Sequence, residues 1–308
     1  MNNSFVLPVF VRGTGLGNRL FQWSRAKVYH YTTGARFVSP LWLRLSLGHL
    51  VRGTVPFHQY SGRIALAGLF TADPHDLRPI IHPWLHLRCR VIRESSGKTL
   101  LPASDQSDQL FYVDGRDDSF TKLNPHQARL RADLLRIVAP NHRRRVAELS
   151  VPAIGLNIRL GKDFSPPPNP SDRYDWVGWL QQTPLLWFIE TLELIRECCG
   201  WTVPAIVVSD GSPSQLRPLL RLPSVTHLSP SNAIVDLMVL SRTKLLLGSG
   251  SSTFSAWAGF LGQQPAFTAP GHPFVSLDLQ PLQGQMIAAF DPKQPDPIML
   301  KAMVEAVT

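Results

Sequence analysis

Three shortages in the chain each exclude a class of protein. Its 308 residues include only three cysteines, Cys89, Cys198 and Cys199, which are too few for a disulfide framework and lack zinc-site spacing. No run approaches the ~18 apolar residues needed to cross a bilayer. The N-terminal residues also lack the positive charge of a secretory signal. The sequence therefore predicts a cytoplasmic protein, at most peripheral to the inner face of the membrane.

Acidic charge is scarce in the first third of the chain. Residues 1–100 contain thirteen Lys or Arg against three Asp or Glu, whereas the rest of the chain sums to about −1. Such a region suits an anionic partner: nucleic acid, an acidic membrane surface or a phosphorylated ligand. No DNA- or RNA-binding motif accompanies the charge, which disfavours nucleic acid. The basic run at 142–145 is best interpreted as a solvated helix face, with contact to acidic lipid as the alternative.

The composition predicts a globular protein of two domains. Hydrophobic residues make up 44% of the chain, and its length is comfortable for two cores. After residue 152, strand-like and helix-like segments alternate with short connections, which predicts an α/β fold with a parallel doubly wound sheet. We expect an N-terminal lobe over residues 1–150, a C-terminal lobe over 151–296 and a terminal helix over 297–308. The pattern between 40 and 107 is too weak to assign elements.

A glycine-rich turn separates the first predicted strand from the first predicted helix. It reads Gly13-Thr-Gly15-Leu-Gly17-Asn18-Arg19. Glycines let the backbone approach a ligand closely, and the N–H groups at a helix start attract anions. The spacing is not Gly-x-Gly-x-x-Gly, and no acidic residue follows for a ribose, which disfavours a nicotinamide site. A flexible turn without a ligand is an equal alternative.

An arginine turn closes the strand predicted over 153–159. It reads Asn157-Ile-Arg159-Leu-Gly161-Lys162-Asp163. Guanidinium is always charged, and its planar fork matches phosphate oxygens. Ligands of open α/β sheets bind at the carboxyl ends of the strands. Standing alone, the turn would be interpreted as a solvated strand end.

A hydroxyl-rich turn follows the strand predicted over 244–248. Ser251, Ser252, Thr253 and Ser255 place four hydroxyls within five positions at the start of a helix. Capping the helix requires only one such hydroxyl, so the others are surplus. The alternative is that all four only stabilise the helix start, because serines at an N-cap need no ligand. The surplus hydroxyls suit phosphate oxygens. A nucleotide diphosphate sugar is the ligand that would use all three turns, because its leaving group gains negative charge in the transition state.

These same segments resemble motifs of the bacterial α-1,2-fucosyltransferases. Residues 15–23 resemble their Gly-Leu-Gly-Asn-Gln-Met-Phe-Gln-Tyr opening, and residues 154–163 resemble the His-x-Arg-Arg-x-Asp motif shared with α-1,6- and protein O-fucosyltransferases. Residues 207–210 resemble their Phe-Ser-Asp-Asp strand end. Residues 236–241 and 252–258 resemble their Asp-Leu-x-Leu-Met-Ser and Asn-Ser-(Ser/Thr)-Phe-Ser-Trp-Trp-(Ala/Gly) blocks. The matches occur in the family's order over residues 13–262.

The resemblance implies a GT-B-like fold, with two Rossmann-type lobes facing a cleft, and GDP-fucose as donor without an essential metal. It implies that Arg159 holds the β-phosphate and assists the departure of GDP. The other implied donor contacts are Gly15, Gly17, Asn18, Arg19, Asn157, Ser209, Asp210, Asp236, Ser251, Ser252 and Thr253. Among these, Ser209 and Asp210 would lie near the nucleoside. The chain departs from the family where Asn157 replaces the motif's histidine, Leu160 replaces its second arginine and Asp163 is displaced by one residue. Arg19 stands where the opening has glutamine.

The hypothesis is an inverting transfer of fucose from GDP-fucose to a glycan hydroxyl, of α-1,2 type, in surface polysaccharide synthesis. The partners are then the donor and a glycan acceptor, which a lipid at the membrane surface can carry. Asp163 and Asp210 are candidate bases by position, and a reaction driven by leaving-group departure needs neither. The alternative is a catalytically weakened protein of the same fold that binds a nucleotide sugar or glycan. Trp176, Trp179 and Trp187 could stack on an acceptor sugar, although packing is the simpler role.

Overall fold

The computed structural model divides the chain into two compact units. It describes residues 3–11, 14–42, 66, 68–94, 107–115, 120–161, 164–166, 181–271, 279, 281 and 284–308. Unit 1 spans residues 1–144 and unit 2 spans residues 145–308, so the division falls shortly before the boundary expected from the sequence. Among the described helices, none combines the length and the apolar character needed to span a bilayer.

Unit 1 is built on a parallel four-stranded sheet with the order β2-β1-β4-β3. Its strands are β1 Ser4–Pro8, β2 Arg36–Phe37, β3 Arg90–Arg93 and β4 Gln109–Val113. The central pair forms the core because β4 is buried at every position and Phe5, Val6 and Leu7 of β1 are buried beside it. Such continuous burial is typical of parallel strands covered on both faces.

Helix α1 (Leu16–Thr33) connects β1 to β2 and packs against this sheet, and nearly every residue of its first half is buried. It ends where Gly34 adopts φ +74°, a left-handed conformation that glycine favours, and donates its N–H to the carbonyl of His30. The spacing of apolar residues predicts a helix over residues 19–32, so the helix begins three residues earlier than expected. Its first turn includes Leu16 and Gly17, which are both buried.

Helix α2 (His82–Arg88) and strand β3 of unit 1 are elements that the sequence did not predict. A 3-10 turn (Pro79–Ile81) leads directly into α2, and β3 follows within the stretch that the sequence left unassigned. Helix α2 has only seven residues and a proline in its first turn, too short for a clear helical period. A second 3-10 turn (Asn124–His126) precedes helices α3 (Gln127–Ile137) and α4 (Pro140–Glu148).

Unit 2 is built on a parallel six-stranded sheet with the order β10-β9-β8-β5-β6-β7. Its strands are β5 Ile154–Ile158, β6 Ala205–Ser209, β7 Val225–His227, β8 Leu245–Gly248, β9 Ala266–Thr268 and β10 Ile287–Ala289. Its helices are α5 Leu185–Cys199, α6 Pro213–Leu220, α7 Ala233–Leu240, α8 Thr253–Gly262 and α9 Pro297–Val307. The predicted α/β fold with a parallel doubly wound sheet is confirmed, and β10 is the strand that the sequence missed.

The order of these strands reverses between β5 and β8. From β5 the chain moves outward through β6 to β7, then returns to the other side of β5 and continues through β8 and β9 to β10. The crevice outside the carboxyl ends of the two strands at such a switch point is where open α/β sheets bind ligands. Arg159 follows β5, and the hydroxyl-rich turn follows β8.

Candidate active site

The structure brings the arginine turn and the hydroxyl-rich turn together at this switch point. Strands β5 and β8 are hydrogen-bonded neighbours, with Asn157 opposite Gly248. The N–H of Ser249 donates to the carbonyl of Asn157 at 2.9 Å, and the N–H of Arg159 donates to Oγ of Ser249 at 3.0 Å. The two turns are therefore joined directly through the buried Ser249.

The Arg159 guanidinium is held by Asp210, which follows β6. Its Nη1 lies 3.1 Å from Oδ2 of Asp210, and both side chains are about a quarter exposed, at 26% and 29%. The other carboxylate oxygen accepts the N–H groups of Leu160 and Gly161, at 2.8 and 3.1 Å. The guanidinium carbon also lies 5.1 Å from the ring centroid of Phe164. Asp210 thus fastens the turn with one oxygen and orients the guanidinium with the other.

The start of α8 uses only part of its hydroxyl supply. Oγ of Ser252 caps the helix by accepting the N–H of Ser255 at 3.3 Å. Nδ2 of the buried Asn157 donates to Oγ of Ser255 at 2.5 Å. Within the described ranges, the half-buried Ser251 and Thr253 hydroxyls make no hydrogen bond. These two groups and the first N–H groups of α8 are therefore available to an anion.

Backbone strain marks the same turn. Ser251 adopts φ +54°, a left-handed conformation that is uncommon outside glycine. The preceding residue, Gly250, donates its N–H to Oγ1 of the buried Thr183 at 3.3 Å. Non-glycine residues in this conformation cluster at ligand sites, where the surrounding contacts hold them. Thr183 and Ser249 also belong to this arrangement. The sequence does not predict their role, because a single buried hydroxyl residue forms no recognisable pattern.

Asp236 brings a carboxylate to the same edge of the sheet. It lies in the first turn of α7, whose start is capped by the side chain of Asn232. Its Oδ1 is buried and has no hydrogen-bond partner in the part of the chain that the structure describes. Burial raises the pKa of Asp236 to about 7, against the opposing effect of a hydrogen bond from Ser231. A buried acceptor of this kind is costly unless a donor completes it.

Ser209 ends β6 and contributes to the adjoining turn. Its Oγ accepts the N–H of Gly211 at 3.0 Å, which ties the strand end to the residue after Asp210. Oγ is therefore already used in the turn.

The predicted residues of unit 1 lie at the start of α1. Gly15 occupies the N-cap position without a capping side chain, and the first turn, which includes Gly17, contains no acidic residue. Oδ1 of Asn18 is buried and lacks a hydrogen-bond partner within the described residues. Arg19 is 3% exposed, and its guanidinium carbon lies 5.1 Å from the ring centroid of Phe10. A helix start without acidic side chains favours anions.

Unit 1 also contains a cavity of about 220 Å³. Its walls include the aromatic side chains of Trp23, Trp42 and Phe70, and Asp76 lines it as well. The Trp42 and Phe70 rings stack with their centroids 4.1 Å apart. Aromatic walls beside a polar group are typical of small-ligand pockets.

Some predicted residues fall elsewhere. Gly13, Lys162, Asp163, Trp176 and Trp179 lie outside the described residues. Trp187 is fully buried in the core of unit 2, where its Nε1 donates to the carbonyl of Phe290 at 2.8 Å. Its role is therefore packing. No group of three or more His, Cys, Asp or Glu side chains among the described residues is arranged to hold a metal ion.

Comparison with known proteins identifies the fold. No family model matches the chain, and no curated protein matches its sequence. The crystal structure of NodZ α-1,6-fucosyltransferase co-crystallised with GDP is similar, with a TM-score of 0.54 and 15% identity over 88% of this chain and 97% of that chain. A second structure, fucosyltransferase NodZ from Bradyrhizobium, has a TM-score of 0.51 and 14% identity over 84% and 93% of the two chains. The chain thus has the α/β fold with parallel sheets that these GT-B fucosyltransferase structures share.

Proposed function

We propose that the chain is a glycosyltransferase that moves fucose from GDP-fucose to a glycan hydroxyl with inversion. The observation that carries the proposal is the hydrogen bond from the backbone N–H of Arg159 to Ser249, which joins the arginine turn to the turn that leads into α8 at the switch point of the unit 2 sheet. A planar cation beside a helix start is suited to a pyrophosphate. The fold shared with NodZ, which was co-crystallised with GDP, supports the choice of donor.

The chemistry is a single displacement. The acceptor oxygen forms a bond to the anomeric carbon while the bond from that carbon to the β-phosphate oxygen breaks, and the bonding electrons leave with GDP. Arg159 would stabilise the charge that develops on the leaving oxygen, aided by the Ser251 and Thr253 hydroxyls and the N–H groups of α8. Ser252 fixes the position of this helix start. The arginine, the hydroxyls and the N–H groups together balance the negative charge of the leaving group, so the proposed mechanism requires no metal ion.

Asp236 is proposed to bind the guanine base. Guanine presents two neighbouring N–H donors on its Watson–Crick edge, and a carboxylate accepts from both at once. The buried Oδ1 of Asp236 lacks such a donor within the described residues. We place Ser209 and Asn157 near the nucleoside and phosphates as positioning groups, since the structure already engages both side chains in hydrogen bonds.

The acceptor proton needs a destination. Asp210 is proposed to act by positioning Arg159, because both of its oxygens are engaged. Asp163 stays a candidate base by its place in the sequence. A reaction led by leaving-group departure transfers the proton late, to solvent or to the departing phosphate, and needs no strong base.

Unit 1 is proposed to be the acceptor side and to supply donor contacts from Gly15, Gly17, Asn18 and Arg19. The start of α1 has a buried acceptor on Asn18 and no acidic side chain in its first turn, which suits an anionic ligand. An α-1,2 linkage, a role in surface polysaccharide synthesis and a cytoplasmic location complete the proposal. These three follow from the motif resemblance and the composition.

The test is donor turnover with matched arginine variants. We expect the wild-type protein to hydrolyse or transfer GDP-fucose, Arg159→Ala to lose at least ~100-fold in kcat, and Arg159→Lys to recover a small part. Arg221→Ala removes an exposed arginine of unit 2 and serves as the control. Equal turnover by wild type and Arg159→Ala would reject the proposed role.

A second candidate is a binding protein without turnover. It is favoured by the ion pair between Arg159 and Asp210, which already neutralises the only arginine that the motif retains here. Calorimetric binding of GDP-fucose without product over a panel of glycan acceptors would select this alternative. Turnover above that of Arg159→Ala would exclude it.

A further inference from the structure

An exposed apolar face lies on the helical segment formed by the first 3-10 turn and α2, residues 79–88. Ile80, Trp84 and Leu87 are 86%, 52% and 85% exposed. Their spacing of four and three residues places them on one face of the segment. Single exposed apolar residues are ordinary, but a stripe of them on one helix face indicates a contact surface.

The opposite face of the same segment already packs against the sheet of unit 1. Leu85 and Cys89 are buried in the cluster formed with Phe5 and Leu110, and Ile81 packs against it. The segment therefore has apolar side chains on two faces, and the sheet covers only one of them.

One arginine lies against this exposed face, and three more flank the segment in the sequence. The Arg88 guanidinium carbon lies 5.3 Å from the Trp84 ring centroid, and Arg78, Arg90 and Arg93 are exposed on the flanking residues. Arg93 also lies 3.6 Å from Asp114, which offsets part of its charge.

The acidic residues nearest in sequence do not cancel this charge. Asp76 is paired with Lys27 at 2.7 Å and Glu94 with Arg25, and the two carboxylate side chains are only 6% and 8% exposed. Arg90 donates its N–H to the carbonyl of Asp108 at 2.9 Å, so this half-buried aspartate lies beside it and offsets part of the charge at that end. Arg78 and Arg88 are exposed at the two ends of the segment and make the surface next to the stripe cationic.

We propose that residues 79–88, with their flanking arginines, form an interfacial helix that docks unit 1 on a membrane surface rich in anionic lipid. Tryptophan with aliphatic neighbours inserts at the headgroup boundary, and arginines beside it are attracted to lipid phosphates. A second copy of the chain fits less well, because a symmetric contact through this face would bring like cations together. The inference places the membrane contact on named residues and does not depend on transferase activity.

Vesicle co-sedimentation tests the apolar part of the face. We expect the full chain to bind vesicles of phosphatidylcholine with roughly one-third phosphatidylglycerol, and to bind phosphatidylcholine alone weakly. Trp84→Ala with Leu87→Ala should lower the partition coefficient roughly tenfold or more. Trp201→Ala removes a tryptophan of unit 2 with similar exposure, 48%, and should match wild type. Unchanged thermal unfolding of the variants confirms that they are folded.

Two further variants separate insertion from general charge attraction. Arg88→Gln should weaken binding roughly fivefold, whereas Arg144→Gln, an exposed arginine of the run at 142–145, should not. Trp84→Phe should retain binding but lose most of the quenching that brominated lipid produces in wild type. The proposal is overturned if the wild-type chain does not bind anionic vesicles, or if the double alanine variant binds them equally well. It is also overturned if Arg144→Gln lowers the partition coefficient as much as Arg88→Gln does. A dimer in sedimentation velocity that the double variant dissolves would assign the face to a second copy.

Discussion

Asp236→Asn should stabilise unit 2 at alkaline pH while weakening nucleotide binding. Burial raises the pKa of this carboxyl to about 7, whereas an unfolded aspartate ionises near 3.8. Because the folded pKa is the higher of the two, the stability contributed by this group is full below about pH 4 and is lost as pH rises through about 7. The asparagine variant cannot ionise and therefore avoids that loss.

The magnitude follows from the pKa difference. A difference of about three units corresponds to about 4 kcal/mol, at ~1.4 kcal/mol per unit, as an upper bound on the cost of the buried charge. The asparagine amide places one of its own polar groups where the partnerless oxygen lay. This unsatisfied group offsets about 1–3 kcal/mol of the gain in stability. We expect a net stabilisation of about 1–3 kcal/mol at about pH 8 and no gain at about pH 4.

Calorimetric unfolding of wild type and variant at the two pH values measures this difference. The denaturation temperature should rise by several degrees at about pH 8, given ~2–4 °C per kcal/mol for a domain of this size. Glu197→Gln, which neutralises an exposed carboxylate of α5, controls for general charge effects. Equal stability differences at both pH values, or a less stable variant at the higher one, would refute the assignment of a buried, electrostatically costly carboxylate.

The same residue predicts a pH-dependent preference for guanine. Only the ionised carboxylate accepts from both guanine N–H groups, so the ratio of GDP to ADP affinity should rise roughly tenfold between about pH 6 and about pH 8. Taking the ratio removes the titration of the terminal phosphate, which both nucleotides share. In Asp236→Asn the ratio should be low and flat. A wild-type ratio that does not change with pH would separate Asp236 from the base.

Three further variants test the contacts around the site. Asp210→Asn should lower kcat by roughly tenfold or more with little change in the KM for acceptor, because it loosens Arg159, and saturating donor should not restore the rate. Gly155→Ala should cost about 1–3 kcal/mol of unfolding free energy, since its Cβ would lie 2.8 Å from Oγ1 of Thr243; in Gly259→Ala the nearest atom is 3.6 Å away, and a neutral or slightly stabilising effect is expected. Trp187→Phe should cost about 1–3 kcal/mol, because the carbonyl of Phe290 loses its donor, while kcat is unchanged. An active-site role for Trp187 would instead appear as lost turnover at unchanged stability, and an inert Gly155→Ala would contradict the close packing of β5.

Much of unit 2 follows from local patterns in the sequence. Buried runs such as 205–209 and 245–248 bounded by turn residues predict parallel strands, and the positions of Arg159 and Ser252 at strand and helix ends are local facts. The short elements of unit 1 do not follow in this way. Helix α2 covers only seven residues and presents apolar side chains on both faces, so its period is hidden.

The sequence by itself determined which groups stand at the ends of strands: the Arg159 guanidinium, the Asp210 carboxylate and the hydroxyls at 251–253. Only the tertiary structure decided that β5 and β8 are neighbours, that Asp210 forms an ion pair with Arg159, and that Oδ1 of Asp236 lacks a donor among the described residues. The physical reason is that strand ends are set by alternation and turn residues a few positions apart. Strand order and side-chain partners depend instead on contacts between segments fifty or more residues apart, which local periodicity does not encode.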